Sequence, residues 1–242
     1  MSVPTYHGKT YVGYLDITGF KQMMGNRKQL KSVMDKFYRT MYGAIHEANS
    51  TTAVTKMNVI AISDCAILFL NKGRKRDVDE ILGLKKMLQV IRYVNRQFII
   101  HDFPFMTTCS ISYGDFNYED KKDWRHIRKN CMNGTAYVES FLDSRLEKPK
   151  LKPSQCRLLK RGLSTVSIQL LETNLNRNND FRMLHSVRDY YYFYWMLEDV
   201  RSIRKFRKAY KRTFDHMYDE LKELLRNPEF RTSTLANGIN QQ

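Results

Sequence analysis

The chain has 242 residues and carries 41 Lys and Arg against 25 Asp and Glu, a net charge of +16. Hydrophobic residues make up 42% and charged residues 27%, so one large domain with a packed core is expected. Only 11 Gly and 5 Pro are present, which argues against a collagenous or largely disordered chain.

No apolar run approaches the roughly 20 residues of a membrane span. The best stretch, Val59 to Leu70, is broken by Ser63 and Asp64. The first residues lack the charged-then-apolar pattern of a secretory signal. A soluble, cytoplasmic protein with no membrane contact is expected. The four cysteines (Cys65, Cys109, Cys131, Cys156) contain no CxxC pair, so reduced thiols are expected rather than a zinc site or disulfides. The six histidines show no metal-ligand pair at i,i+4 spacing.

In chain order, Thr10 to Ile17 reads as a strand rich in aromatic and β-branched residues. Gly19 punctuates it, and a long helix follows with apolar positions from Phe20 to Ile45, ending at Asn49 and Ser50. Thr52 to Ile62 and Cys65 to Leu70 read as two strands joined by a tight turn at Ser63 and Asp64. Asp77 to His101 reads as a second long helix, and Phe105 to Tyr113 as another strand. Glu119 to Lys129 is charged and loop-like. Gly134 opens a short helix reaching about Leu146. Arg157 to Leu159 forms a short strand, Asn174 to Asp180 a polar turn, and Arg182 to Ser186 with Tyr190 to Trp195 a last hairpin. From about Leu197 to Leu225 a helix returns, with a basic face through Arg201, Arg204, Lys205, Lys208, Lys211 and Arg212.

The order β-α-β-β-α-β followed by a mixed remainder predicts an α+β fold. A ferredoxin-like or palm-type arrangement is the simplest solution, with a mostly antiparallel sheet and helices on one face. In that topology the end of the first strand and the tip of the first hairpin meet at one sheet edge. Asp16 and Asp64 then converge. Two close carboxylates repel unless a cation neutralises them, and hard divalent ions held by carboxylates and substrate phosphates are the usual solution. Two such ions support phosphoryl transfer. The turn Thr18-Gly19-Phe20-Lys21 beside Asp16 leads into a helix, whose N–H groups can cradle a phosphate.

On these residues the chain resembles a known family. LDITGFKQMM resembles the first metal motif of the class III nucleotidyl cyclases, and ISDCAILFL the second. SISYGDF is similar to their next strand and GTAYVESF to the helix after it. The pyrimidine nucleotide cyclases of the Pycsar antiphage defence system are the subgroup most similar in order and spacing. The Gly134-to-Ser140 helix start and the aromatic strand Tyr192-Phe193-Tyr194-Trp195 carry that likeness. It spans roughly residues 10 to 197.

The resemblance implies a catalytic domain over residues 1–197. A basic amphipathic helix over 198–230 packs on the domain or the dimer, and a flexible tail covers 231–242. It implies a head-to-tail homodimer with active sites at the interface. Asp16, Asp64 and the carbonyl of Ile17 would bind two Mg²⁺ or Mn²⁺ ions, and the backbone of Gly19, Phe20 and Lys21 the triphosphate. The ribose 3′-hydroxyl would attack the α-phosphate of UTP, or of CTP as the alternative, releasing a cyclic monophosphate and pyrophosphate. A separate effector would sense the product, with no direct contact and no nucleic acid required.

The chain departs from the family in places. Ile60 stands where purine cyclases of this class read the base with Lys or Glu. Val138 and Leu142 stand where they carry the transition-state Asn and Arg. Thr108 replaces an Arg frequent in the pyrimidine subgroup. Lys56 and Arg145 are candidates for the missing charge, and Tyr113 and Tyr137 for the base, although packing is the ordinary role of such tyrosines. Cys65 is expected to point to the opposite strand face, into the core. The alternatives are a catalytically inactive relative, another palm-type nucleotide enzyme such as a dinucleotide cyclase, and a nucleic-acid-binding protein attracted by the positive charge.

Overall fold

A computed structural model of the chain describes residues 4–25, 27–50, 54–73, 76–100, 105–123, 127–174, 181, 183–197 and 202–213. The first strand, β1 (Tyr6–Thr18), is longer than its apolar stretch predicts, because Tyr6 to Lys9 pair with the far half of a long fourth strand. A four-residue helix α1 (Phe20–Met23) and the long α2 (Arg27–Asn49) follow. The single helix expected from Phe20 is therefore interrupted, and Gly25, a poor helix former, lies at the break. The hairpin β2 (Lys56–Ile62) and β3 (Cys65–Asn71) comes next, then α3 (Glu80–Ile100). Asp79 caps α3, its side chain accepting from the N–H groups of Ile81 and Leu82 at 3.0 and 2.8 Å.

The strand β4 (Met106–Asp123) runs far past its predicted end and turns back as β5 (Ile127–Asn133). The charged segment Glu119 to Lys129, expected as a loop, is instead largely a β-ribbon with Lys121 opposite Lys129. Then come α4 (Thr135–Ser144), β6 (Cys156–Leu159), α5 (Thr165–Asn174), β7 (Leu184–Val187), β8 (Tyr190–Phe193) and α6 (Ile203–Thr213). α5 was not foreseen from the sequence. Of the polar turn expected over Asn174 to Asp180, Asn174 instead ends α5, and the rest of it, like the helix beyond residue 213, lies outside the described residues.

The strands form one sheet in the order β2-β3-β1-β4-β6-β8-β7, with β5 added to β4. Every pairing is antiparallel except β4 with β6. The first four strands with α2 and α3 make the expected ferredoxin-like βαββαβ unit. α2 and α3 share one face over a large core, where Phe37 of α2 lies against Phe98 of α3 and against Phe105. The opposite face carries α4 above a smaller cluster of Val12, Tyr14, Ile67, Phe69 and Phe116. Side chains alternate along β1, so Leu15 and Ile17 enter the large core, while Val12, Tyr14 and Asp16 face α4. Among the described residues no helix is long and apolar enough to cross a membrane.

Candidate active site

Register brings the two predicted carboxylates together. Asp16 of β1 lies directly opposite Cys65 of β3, the residue after Asp64. The N–H of Ile17 donates to the carbonyl of Asp64 at 3.0 Å, closing the sheet end. Asp64 sits in the β2–β3 turn after Ser63, which takes a left-handed φ of 52°. Both aspartates are half-buried. One Asp16 carboxylate oxygen is buried with no hydrogen-bond partner, and so is the Thr18 hydroxyl. Burial holds the Asp16 carboxyl up at about 6, with Arg145 opposing and Asp64 adding repulsion.

A cation could neutralise these two half-buried, mutually repelling carboxylates. The donor set is two carboxylates, one with an unpartnered oxygen, and neighbouring main-chain carbonyls, all hard oxygen ligands of the kind Mg²⁺ and Mn²⁺ take. Among the described residues no group of three His, Cys, Asp or Glu could hold a metal. The two carboxylates could take part in holding such an ion together with substrate phosphates.

The raised Asp16 value has a consequence for stability. The folded pKa of about 6 exceeds the ordinary 3.8, so protonation favours the fold. That contribution is complete below pH 3.8 and is lost as pH rises through about 6. Without divalent cations, Asp16→Asn is expected to raise Tm by a few degrees at pH 7.5 and to change it little at pH 4. Added Mn²⁺ should stabilise the unaltered chain and not the variant. Calorimetry in chelator and in Mn²⁺ checks this, and an Asp16→Asn variant less stable at pH 7.5 would contradict it.

Four further side chains surround the pair. Cys65 is buried, as expected, but it faces the Asp16 side of the sheet rather than away from it; its Sγ donates to the Ile62 carbonyl at 3.0 Å. Burial pushes its thiol up. Thr108 of β4 flanks Asp16 on the other side. Tyr14, two residues before Asp16 on the same face, packs edge-on against Phe141 of α4 at 5.4 Å. Arg145, the C-cap of α4, donates to the Tyr14 hydroxyl at 3.4 Å and lies 5.7 Å from the Phe141 ring centre. Its guanidinium pKa is raised, first by that hydrogen bond, with Asp16 and Asp64 adding to it.

Arg145 is thus the predicted charge candidate that lies with the aspartates. Lys56 stands at the opposite end of β2 from the turn, its Nζ donating to the Asn49 carbonyl. Tyr113 is buried on the other face of the sheet, its hydroxyl donating to the Val78 carbonyl at 2.8 Å. Tyr137 is half-buried on α4 and stacks on Phe141 at 6.4 Å, one turn further from the aspartates than Arg145's neighbour. Ile17 is buried and its carbonyl is at the sheet end. Gly19 takes φ 80°, a left-handed turn that glycine adopts without strain, and Phe20 and Lys21 start α1. Ile60 is buried under the α4 face.

α4 is seated by its inner face. Ser110 and Ser112 of β4 donate to Asp143 and Glu139 at 2.5 and 2.8 Å. Gly134, φ 121°, approaches so closely that an added Cβ would lie 2.2 Å from the Asp115 carbonyl oxygen. The outer face shows Val138 and Leu142, exposed by 46% and 54%, and Leu146, just past the helix end, is 39% exposed.

No family model matches the chain, and no curated protein matches it in sequence. The fold is that of the class III nucleotidyl cyclases. The adenylyl cyclase CyaB from P. aeruginosa is similar with a TM-score of 0.51 and 12% identity, covering 78% of this chain and 96% of its own. The catalytic core of a rhodopsin-guanylyl cyclase with converted specificity, in complex with ATPαS, gives 0.52 and 11%, covering 77% and 95%. The monomeric guanylyl cyclase domain of a RhoGC fusion protein from the aquatic fungus Blastocladiella emersonii gives 0.51 and 11%, covering 77% and 94%.

Proposed function

We propose that this chain is a metal-dependent pyrimidine nucleotide cyclase that converts UTP to 3′,5′-cyclic UMP and pyrophosphate, with CTP to cyclic CMP as the alternative. The observation that carries the reaction type is the meeting of Asp16 and Asp64 at one sheet end, with an unpartnered Asp16 oxygen, inside a cyclase fold. The pyrimidine preference and a role in antiphage signalling rest on the motif resemblance. The apolar Ile60 counts against an ordinary adenylyl or guanylyl cyclase, because it offers no hydrogen bond to a base edge.

In this reading Asp16, Asp64 and the Ile17 carbonyl hold two Mg²⁺ or Mn²⁺ ions. Bound there, the ions supply Lewis acidity that lowers the pKa of the ribose 3′-hydroxyl and offsets charge on the departing pyrophosphate. The chain's own work is positional and electrostatic. The N–H groups of Gly19, Phe20 and Lys21 receive phosphate oxygens. Arg145 meets charge that Val138 and Leu142 cannot. Tyr14 and Phe141 hold that guanidinium in place. The enzyme works in the cytoplasm, and a separate effector reads its product.

The exposed Val138 and Leu142, at i and i+4 on α4, support a homodimer, since with Leu146 just past the helix end they offer an apolar patch to a second copy. Leu142→Asp is expected to give a monomer by light scattering and to lower activity at least about tenfold, through a charge buried in that patch. A dimeric variant, or a fully active monomer, would contradict the assignment.

The test of the function is incubation of the protein with ATP, GTP, CTP and UTP separately in Mn²⁺, with mass analysis of products. A cyclic pyrimidine monophosphate with pyrophosphate is the expected result. The apolar residues at Val138 and Leu142 favour a second reading, a catalytically inactive relative. Absence of product from every nucleotide by a folded dimer would support that reading instead.

A further inference from the structure

The turn that carries Asp64 is gripped at successive carbonyls. Cys65 Sγ donates to the Ile62 carbonyl at 3.0 Å. The Tyr38 hydroxyl of α2 donates to the Ser63 carbonyl at 3.0 Å, and the Ile17 N–H of β1 to the Asp64 carbonyl at 3.0 Å. Ser63 is the residue that needs holding. Its φ of 52° lies in the left-handed region, where a Cβ crowds the following carbonyl oxygen. A residue in that conformation persists where its surroundings over-determine it, and such positions gather at functional sites.

The donors at Ser63 and Asp64 flank one Cα. A peptide unit is planar, so a bond to its carbonyl oxygen restrains the whole plane. The Ser63 carbonyl belongs to the plane that enters Asp64, and the Asp64 carbonyl to the plane that leaves it. Tyr38 restrains the first and Ile17 the second. With both planes restrained, the Cα–Cβ bond of Asp64 is left with one direction. Ile17 also follows Asp16 in the chain, so the second restraint ties the two aspartates to each other.

Tyr38 is itself anchored. Its ring is half-buried against the large core, with the Phe37 ring centre at 5.8 Å. Burial raises the pKa of its hydroxyl, and Tyr42, Cys65 and Asp64 add to the rise, so the group stays protonated and able to donate.

We propose that Tyr38 is a positioning residue for Asp64: its hydroxyl, acting through the Ser63–Asp64 peptide, fixes the direction in which that carboxylate is offered to a divalent cation. The role rests on the cyclase reading for the cation. The hydroxyl bonds to main chain, so its effect on the cation is indirect.

The test uses the full chain and two readouts that need no turnover. One is amide exchange at Ile17 in chelator, followed by nuclear magnetic resonance. The other is calorimetric titration with Mn²⁺. Tyr38→Phe keeps the ring and removes only the hydroxyl. It should speed Ile17 exchange and weaken Mn²⁺ binding, each by about three- to tenfold, the range for one lost hydrogen bond. Tm should fall by no more than about 3 °C. Tyr42→Phe removes a hydroxyl one turn further along α2, from a side chain 55% exposed, and should change neither readout. Asp64→Ala sets the scale for a lost ligand. Unchanged Ile17 exchange or unchanged Mn²⁺ affinity in Tyr38→Phe, with binding lost in Asp64→Ala, overturns the positioning role and leaves the cyclase reading standing. An equal effect from Tyr42→Phe overturns it too. Mn²⁺ affinity unaltered in Asp64→Ala removes the metal assignment itself, and the positioning role with it.

Discussion

Asp16→Ala and Asp64→Ala are each expected to lower turnover by about a thousandfold or more while the fold remains. A bound divalent ion contributes several kcal/mol of transition-state charge stabilisation, and each 1.4 kcal/mol is about a factor of ten. Neither substitution threatens the core. Asp16 is a half-buried carboxylate with one oxygen lacking any partner, so its removal strands no donor at that oxygen and relieves a buried charge. Asp64 lies in a turn, and the bond that closes the sheet end there uses its main-chain carbonyl, which alanine retains. Activity and fold are therefore separable. Circular dichroism should match the unaltered chain, and in chelator neither variant should melt below it, while pyrophosphate release in Mn²⁺ disappears. Retained turnover in either folded variant, at matched metal, would remove the two-metal assignment. Loss of Mn²⁺ binding by calorimetry in both variants is the companion result expected of metal ligands.

The aspartate pair was legible in the sequence because it depends only on element order. An apolar strand ending in Asp-Ile, a helix, and two strands joined at Ser63-Asp64 leave few arrangements that do not bring the two ends together. What surrounds the pair was less legible, because it depends on register and reach. Cys65 and Thr108 flank Asp16 only because of how β3 and β4 pair with β1, and a one-residue slip would replace both. Arg145 was one of four charge and base candidates. It lies with the aspartates because α4 crosses β1, whereas Tyr113 falls on the other face by strand alternation.

The elements that escaped the sequence reading did so for physical reasons. α5 has no clean apolar stripe, with Val166 and Leu170 exposed. Its start is secured by Ser164, whose Oγ accepts from the Ser167 N–H at 3.2 Å. The β4–β5 ribbon is rich in charge, which hides a strand pattern in the sequence. Its order comes from main-chain pairing.

The largest effect on stability is expected at a pair that sequence alone gives no reason to suspect. Arg157 of β6 is fully buried, and Asp143 of α4 is 2% exposed. Arg157 donates from Nε and from a terminal nitrogen to the two Asp143 carboxylate oxygens at 2.8 and 2.9 Å. It also donates to the carbonyls of Asp143 and Pro149, and its guanidinium lies 4.4 Å from the Tyr190 ring centre. Ser110 of β4 supplies a further bond to Asp143. Charged residues are normally solvated, so fourteen residues of separation give no sign of this bond until α4 is laid over the sheet. Asp143→Ala strands a buried guanidinium, and Arg157→Ala strands a buried carboxylate. Each single change should cost about 3–5 kcal/mol by chemical denaturation. Replacing both charges together, Asp143→Leu with Arg157→Met, should cost less than the sum of the two single changes, because no unpaired ion remains. The single variants should also lose activity in the folded fraction, since Asp143 fixes the last turn of α4 two residues before Arg145. Additive losses in the double-mutant cycle would show that the pair is not coupled. Single variants of unaltered stability would show that water reaches it.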